Sequence, residues 1–180
     1  NLLLPYLHRF VDKIELKILK RGYYPKGQGQ IKLEVSPRFK LHEYDSFSAL
    51  RDELPFKVGK IILLEQGKLE QIRGIVNSSQ ELQEKEVGER ISNSALASLK
   101  QYDVPINIRV EYAKAESIGG EVLLWGLFSR GGEMDYDNPV LLAGDALIEP
   151  QKRSEDIGKE AAEELKAQIE AKAAVDNHLA

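Results

Sequence analysis

Residues 13–36 constrain this chain most. Ile14, Leu16 and Ile18 alternate with Lys13, Glu15 and Lys17, and further on Ile31, Leu33 and Val35 alternate with Lys32 and Glu34. A period of two puts the aliphatic side chains on one face, so the pattern predicts two half-buried strands. A tight hairpin would join them through two residues such as Asn-Gly. Here the connection is the longer Arg21-Gly22-Tyr23-Tyr24-Pro25-Lys26-Gly27-Gln28-Gly29-Gln30, which carries glycines, a proline, two aromatic rings and two cations.

The chain has 180 residues, enough for one good core or two small ones. Charged residues at 30% and hydrophobic residues at 42% describe an ordinary globular protein. With no cysteine, disulfides and thiolate metal sites are excluded. No run of about eighteen apolar residues predicts a membrane span, and no signal peptide is visible. A cytoplasmic protein is expected. Opening on Asn1 and ending on Leu179-Ala180, the chain reads as a fragment of a longer protein. Its net charge of −4 is uneven: nine cations against three carboxylates give residues 1–40 a balance of +6, so the remainder carries −10. That asymmetry suits an anion, nucleic acid among them, meeting the N-terminal part. It equally suits lysines on the solvated faces of two strands.

In chain order, Leu3, Leu7 and Phe10 keep helical spacing, and Pro5 places a helix start nearby. Ser36-Pro37 marks a break, where a domain boundary is expected. Residues 38–57 show no clean period and read as a linker or loosely structured entry. A hairpin is predicted from 60–64 through a turn at 65–68 to 69–76. Ser78 with Glu81 forms a capping-box signature for a helix carrying Leu82, Val87, Ile91, Leu96 and Leu99. Residues 106–112 alternate as a strand with one buried face. The continuous apolar run Val122–Phe128 predicts a strand covered on both faces, and 140–144 supply one more. Ser154 is expected to cap a last helix with Ile157, Ala161, Leu165 and Ile169 on its inner face. Strand, helix, three strands, helix is the order of a two-layer α/β sandwich, not of a doubly wound sheet.

Glu133, Asp135, Asp137 and Asp145 fit no calcium-loop spacing and read as a solvated acidic loop, so no metal site is expected. His8 and His42 have no partner at ligand spacing and are expected at the surface or in packing. No P-loop, metalloprotease helix or nucleophile-elbow motif is present. These residues therefore reach a basic, glycine-rich loop on an α/β protein, but not a reaction.

Arg21-Gly-Tyr-Tyr-Pro-Lys-Gly-Gln-Gly-Gln-Ile31 closely resembles the signature of RNA 3'-terminal phosphate cyclases: Arg-Gly, two variable residues, Pro, one residue and three glycines before an aliphatic. Gln28 stands where the family has its middle glycine. Gly67-Lys-Leu-Glu-Gln-Ile-Arg-Gly-Ile75, Glu160-Ala-Ala-Glu-Glu-Leu165 and Ala173-Ala-Val-Asp-Asn-His-Leu-Ala180 follow in the order and approximate spacing of archaeal members, so the likeness covers nearly the whole chain. It implies an inserted α/β domain at 37–171 within an enolpyruvyl-transferase-like repeat domain, with 1–36 and 172–180 belonging to the larger domain.

The resemblance also implies a ligase-type, ATP-dependent reaction needing Mg2+ or another divalent cation. A histidine attacks the α-phosphate of ATP to form histidyl-AMP, AMP passes to an RNA 3'-phosphate, and the adjacent 2'-hydroxyl closes a 2',3'-cyclic phosphate with release of AMP. The partners implied are RNA 3' ends and ATP. The nucleophilic histidine belongs to a later motif, roughly His-Leu-x-Thr-Asn, that these residues do not contain, so no catalytic residue is expected here. His178, Leu179 and Ala180 would line the ATP site, with the His178 ring beside the adenine. Arg21 and Lys26 could contact phosphate or RNA, or the loop could be a structural turn fixed by Pro25, Gly27 and Gly29. A non-catalytic cyclase-like protein in ribosomal RNA processing is the alternative, and an enolpyruvyl transferase is a more distant one.

Overall fold

The computed structural model describes residues 3–58, 63–133 and 139–179. After α1 (Leu4–Leu7), a single turn with Pro5 at its start, β1 (Val11–Lys20) and β2 (Gln30–Pro37) form an antiparallel ribbon. Ile14 faces Val35, Leu16 faces Leu33 and Ile18 faces Ile31, the register that the two alternations require. On their shared face only Ile14, among these described residues, is half-buried as expected; the others are exposed, from 42% at Leu16 to 67% at Ile31. A two-stranded ribbon supplies no second layer of its own.

Residues 38–57 are not the loose linker expected from their lack of period. A 3-10 turn at Leu41–Glu43 leads to α2 (Phe47–Val58), which has no buried residue. Its determinants are local: Ser46 Oγ accepts the Ala49 N–H (3.1 Å) as an N-cap, and Lys57 pairs with Glu53 at 2.9 Å. The cap contributes roughly 1 kcal/mol, and the solvent-exposed ion pair adds little. A helix that buries nothing leaves no apolar stripe to read.

The central sheet has the order β4-β3-β5-β6, with β3 (Lys68–Ser79), β4 (Ile106–Ala113), β5 (Gly120–Ser129) and β6 (Val140–Leu147). β3 runs parallel to β4 and antiparallel to β5, and β5 is antiparallel to β6. The parallel pair is joined through α3 (Val87–Leu99), and α4 (Ser154–Glu170) packs beside α3 and against β6. This is the expected two-layer sandwich, with Ile72, Val76, Val122, Leu124 and Leu142 of the sheet buried under Ile91, Leu99, Ile157 and Leu165 of the helices.

Four local expectations fail here. The hairpin from 60–64 does not form as read: 59–62 lie outside the described residues, Leu63 and Leu64 are not strand, and β3 pairs with strands far along the chain. Ser78 caps no helix, because Ser78 and Ser79 end β3, where Ser79 Oγ accepts the Gly119 N–H (3.3 Å). A 3-10 stretch at Gln80–Lys85 and a left-handed Glu86 then precede α3. Ser154 is the first residue of α4 rather than its cap. The run in β5 is covered on one face only: Val122, Leu124 and Phe128 are buried, while Leu123, Trp125 and Leu127 on the other face are half-buried.

Candidate functional site

The chain leaves α4 through a left-handed Lys172 and turns back along β6. Gln66 Nε2 donates to the carbonyls of Gln168, Ile169 and Ala173 (3.1–3.3 Å), satisfying acceptors that a helix end leaves open. β6 is an edge strand, and at Ala143 its outward groups are taken by side chains. Asp176 Oδ2 accepts the Ala143 N–H (2.6 Å), and Gln168 Nε2 donates to the Ala143 carbonyl. The Asn177 N–H closes the loop on Gln168 Oε1 (3.0 Å). An edge that would otherwise be open to pairing is thereby covered.

Asp176 is fully buried, and its other oxygen accepts the His178 N–H (2.9 Å) and lies 2.7 Å from His178 Nδ1. The opposite ring nitrogen, Nε2, lies 3.0 Å from Asp145 Oδ1 and 3.9 Å from Glu164 Oε1. Glu164 is held in turn by the Asp145 N–H (2.8 Å) and Asn177 Nδ2 (3.3 Å). The hydrogen bond to Asp176 raises the His178 pKa above its ordinary value; burial opposes it, and the Asp176, Glu164 and Asp145 charges add to the rise.

A raised folded pKa means that the stabilisation is complete below the unfolded value of about 6.5 and is lost as pH rises through the folded value. The melting temperature should therefore fall over that window, and His178→Gln should abolish this part of the fall. Thermal melts with an NMR titration of the ring check both.

Asp145 Oδ, Glu164 Oε and His178 Nε2 lie within 4.8 Å of one another. Neutral His178, donating Nδ1–H to Asp176, would offer a cation one nitrogen and two carboxylates. Protonated, the ring would instead clamp the three acids, and its raised pKa widens the pH range over which it does so. The sequence missed this cluster, having placed Asp145 with an acidic loop of which Asp135 and Asp137 lie outside the described residues. Its members come from β6, α4 and the returning segment, and only their packing unites them.

Leu179 donates its N–H to the Asp176 carbonyl (2.9 Å), and Ala180 lies outside the described residues. Arg21 is engaged within the fold: Nη1 lies 3.0 Å from Glu121 Oε1, which also accepts from Asn77 Nδ2 (3.0 Å), and the Arg21 side chain is 19% exposed. Lys26 is exposed, with its backbone N–H donated to Ser117 Oγ (3.1 Å). The loop thus docks on residues 116–119, with Tyr23 against Gly119. Gly27 and Gln28 have φ of +65° and +58°. Gln28 therefore holds a left-handed conformation that glycine adopts without the cost, roughly 1–2 kcal/mol, borne by other residues. His8 and His42 are exposed.

The sheet brings the two ends of the chain close. Glu121, the partner of Arg21, is two residues from Leu123, which pairs directly with Asp145, the partner of His178. Such diagonal neighbours are about 7–8 Å apart.

A family model described as "RNA 3'-terminal phosphate cyclase (RTC), insert domain" matches residues 64–170. Proteins named RNA 3'-terminal phosphate cyclase are similar over most of the chain. That of Archaeoglobus fulgidus is 32% identical over 180 residues, covering 100% of this chain and 44% of the relative. That of Pyrobaculum neutrophilum is 31% identical over 177 residues, covering 97% and 43%. That of Pyrococcus furiosus is 30% identical over 165 residues, covering 92% and 40%. The chain spans less than half the length of these curated relatives. With the insert-domain match covering more than half of its residues, the chain belongs to the RNA 3'-terminal phosphate cyclase family.

Proposed function

We propose that this chain is part of an enzyme that converts an RNA 3'-phosphate into a 2',3'-cyclic phosphate at the expense of ATP. The observation that carries the reading is the match to relatives of that name over 92–100% of the chain. In the reaction, a histidine outside these residues displaces pyrophosphate from ATP, and the RNA 3'-phosphate then takes AMP from the histidine. The adjacent 2'-hydroxyl attacks that phosphorus and expels AMP. Mg2+ or another divalent cation enters with ATP and offsets the phosphate charge.

His178 is the contribution of this chain to the ATP site. Contacts at both ring nitrogens fix the imidazole, and the side chain is 39% exposed. A fixed, half-exposed ring is suited to stacking on adenine. Leu179 and Ala180 would continue that wall. Arg21 acts mainly through Glu121, and Lys26 is the better placed of the two loop cations to meet phosphate.

Given ATP, Mg2+ and an oligoribonucleotide ending in a 3'-phosphate, the full-length protein should produce a phosphatase-resistant 2',3'-cyclic end. His178→Ala should raise the KM for ATP roughly tenfold with little change in kcat, as loss of one base stack predicts. An RNA end that stays phosphatase-sensitive would sink the proposal. The 180-residue chain by itself should take up no acid-labile AMP.

A further inference from the structure

The uncovered face of the sheet carries a group of side chains that the proposed reaction leaves without a role. Both long helices lie on the opposite face. Across the open one, Asn107 of β4, Arg73 of β3 and Trp125 of β5 are direct neighbours, and Arg109 lies beside Ile75 two residues along. Together with Gln71 they line a depression of about 370 Å3. Its side chains are two guanidiniums, two carboxamides and an indole, without a carboxylate, on a chain whose net charge is −4.

The core does not require this composition. Val122, Leu124 and Phe128 already fill the helix-facing side of β5, and Trp125 points away from them. Arg73 is steadied by its Nε–H bond to Gln71 Oε1 (3.1 Å). Among the described residues Arg109 has a loose partner, Glu111 at 3.9 Å, with the two side chains 66% and 50% exposed, so an incoming phosphate can displace it. Farther along the face, Glu121 is already neutralised by Arg21, and Asp145 lies against His178.

We infer that this face binds single-stranded RNA, one base stacking on Trp125 while Arg73 and Arg109 take the neighbouring phosphates. A flat indole between two arginines is the pairing that backbone-tracking, sequence-tolerant sites use, and stacking requires an unpaired base. The choice of RNA rests on the cyclase reading above. Trp125 is two residues from Leu123, the partner of Asp145, so by sheet geometry Trp125 and Asp145, the strand position that holds His178, are diagonal neighbours about 7–8 Å apart. The face therefore holds the nucleotides just upstream of the reacting 3' end.

Trp125 is the single tryptophan of the chain, so its fluorescence reports directly on this face. A short oligoadenylate with a 3'-phosphate, titrated into the 180-residue chain at low salt without ATP, should quench it. Arg73→Ala and Arg109→Ala should each weaken binding about fivefold and each lower the slope of log affinity against log salt by roughly 0.7. The double variant R73E/R109E should lose quenching while its circular dichroism melt stays unchanged. Absence of quenching, or quenching that survives R73E/R109E, overturns the inference, as does equal binding of a blunt RNA duplex. If the full-length protein cyclises RNA and R73E/R109E leaves its KM for RNA unchanged, this inference fails and the cyclase reading stands. If the face binds RNA but the full-length protein makes no cyclic end, the cyclase reading is the one that fails.

Discussion

Gly158→Ala should destabilise the fold by about 2 kcal/mol, although it places the best helix former in a helix. A Cβ at Gly158 would lie 2.2 Å from the Ile91 carbonyl oxygen and 3.1 Å from the Ala95 nitrogen, both backbone atoms of α3. Backbone in a buried helix cannot swing aside as a long side chain can, so α3 and α4 must separate. Their separation is set by other contacts too: Arg90 forms a two-bond pair with Glu155 (2.9 and 3.0 Å), and Ser94 Oγ donates to the Glu155 carbonyl (2.6 Å). On its other side α4 is equally close to β6, where a Cβ at Gly144 would lie 2.2 Å from the Ala161 carbonyl oxygen. Helix propensity favours alanine by about 1 kcal/mol. Overpacking costs typically 1–3 kcal/mol, and a clash with α3 backbone in a helix that β6 holds closely on its other side puts this site at the upper end. The overpacking term wins. Urea unfolding followed by Trp125 fluorescence should show a lower midpoint with an unchanged slope. A variant more stable than the parent would show that α3 and α4 do not touch here.

Those glycines also show why some of the fold was legible in the sequence and some was not. Ile157, Ala161 and Leu165 announce α4 by their period, and β4 announces itself by alternation, because burial on one face writes a repeat into the chain. α2 buries nothing, so its only mark was Ser46 at the cap position. The run from Val122 to Phe128 is apolar without interruption, yet Leu123, Trp125 and Leu127 look outward. An apolar residue on an open face cannot be told from a buried one by composition alone. β3 was misread as half of a local hairpin because its true partners lie some thirty-four to sixty-one residues later, as Ile72 facing Ile106 and Lys68 facing Ser129 show. Nothing local signals such a pairing. The loop at 21–30 was recognisable by its glycines and proline, but the neutralisation of Arg21 by Glu121 depends on β5 lying beneath it.

Asp176→Ala should cost about 3 kcal/mol and should also remove the special behaviour of His178. Asp176 is fully buried and satisfies three groups: the Ala143 N–H, the His178 N–H and the His178 ring. Truncation leaves the Ala143 N–H without a partner at a covered strand edge, a loss of about 1–3 kcal/mol, and adds the hydrogen bonds lost from a charged acceptor. Asp176→Asn keeps the shape and one acceptor oxygen, so its cost should be about half as large, but it removes the charge whose hydrogen bond raises the His178 pKa. The two variants thus separate packing from positioning. In Asp176→Asn the NMR-detected titration of His178 should move down toward about 6.5, and the pH window in which the melting temperature falls should move with it. If His178 stacks on adenine, Asp176→Asn should also raise the KM of the full-length protein for ATP while leaving kcat near the parent value, because the ring is loosened, not removed. A His178 titration that stays where it was in Asp176→Asn would mean that Asp145 and Glu164, rather than Asp176, hold the proton on the ring.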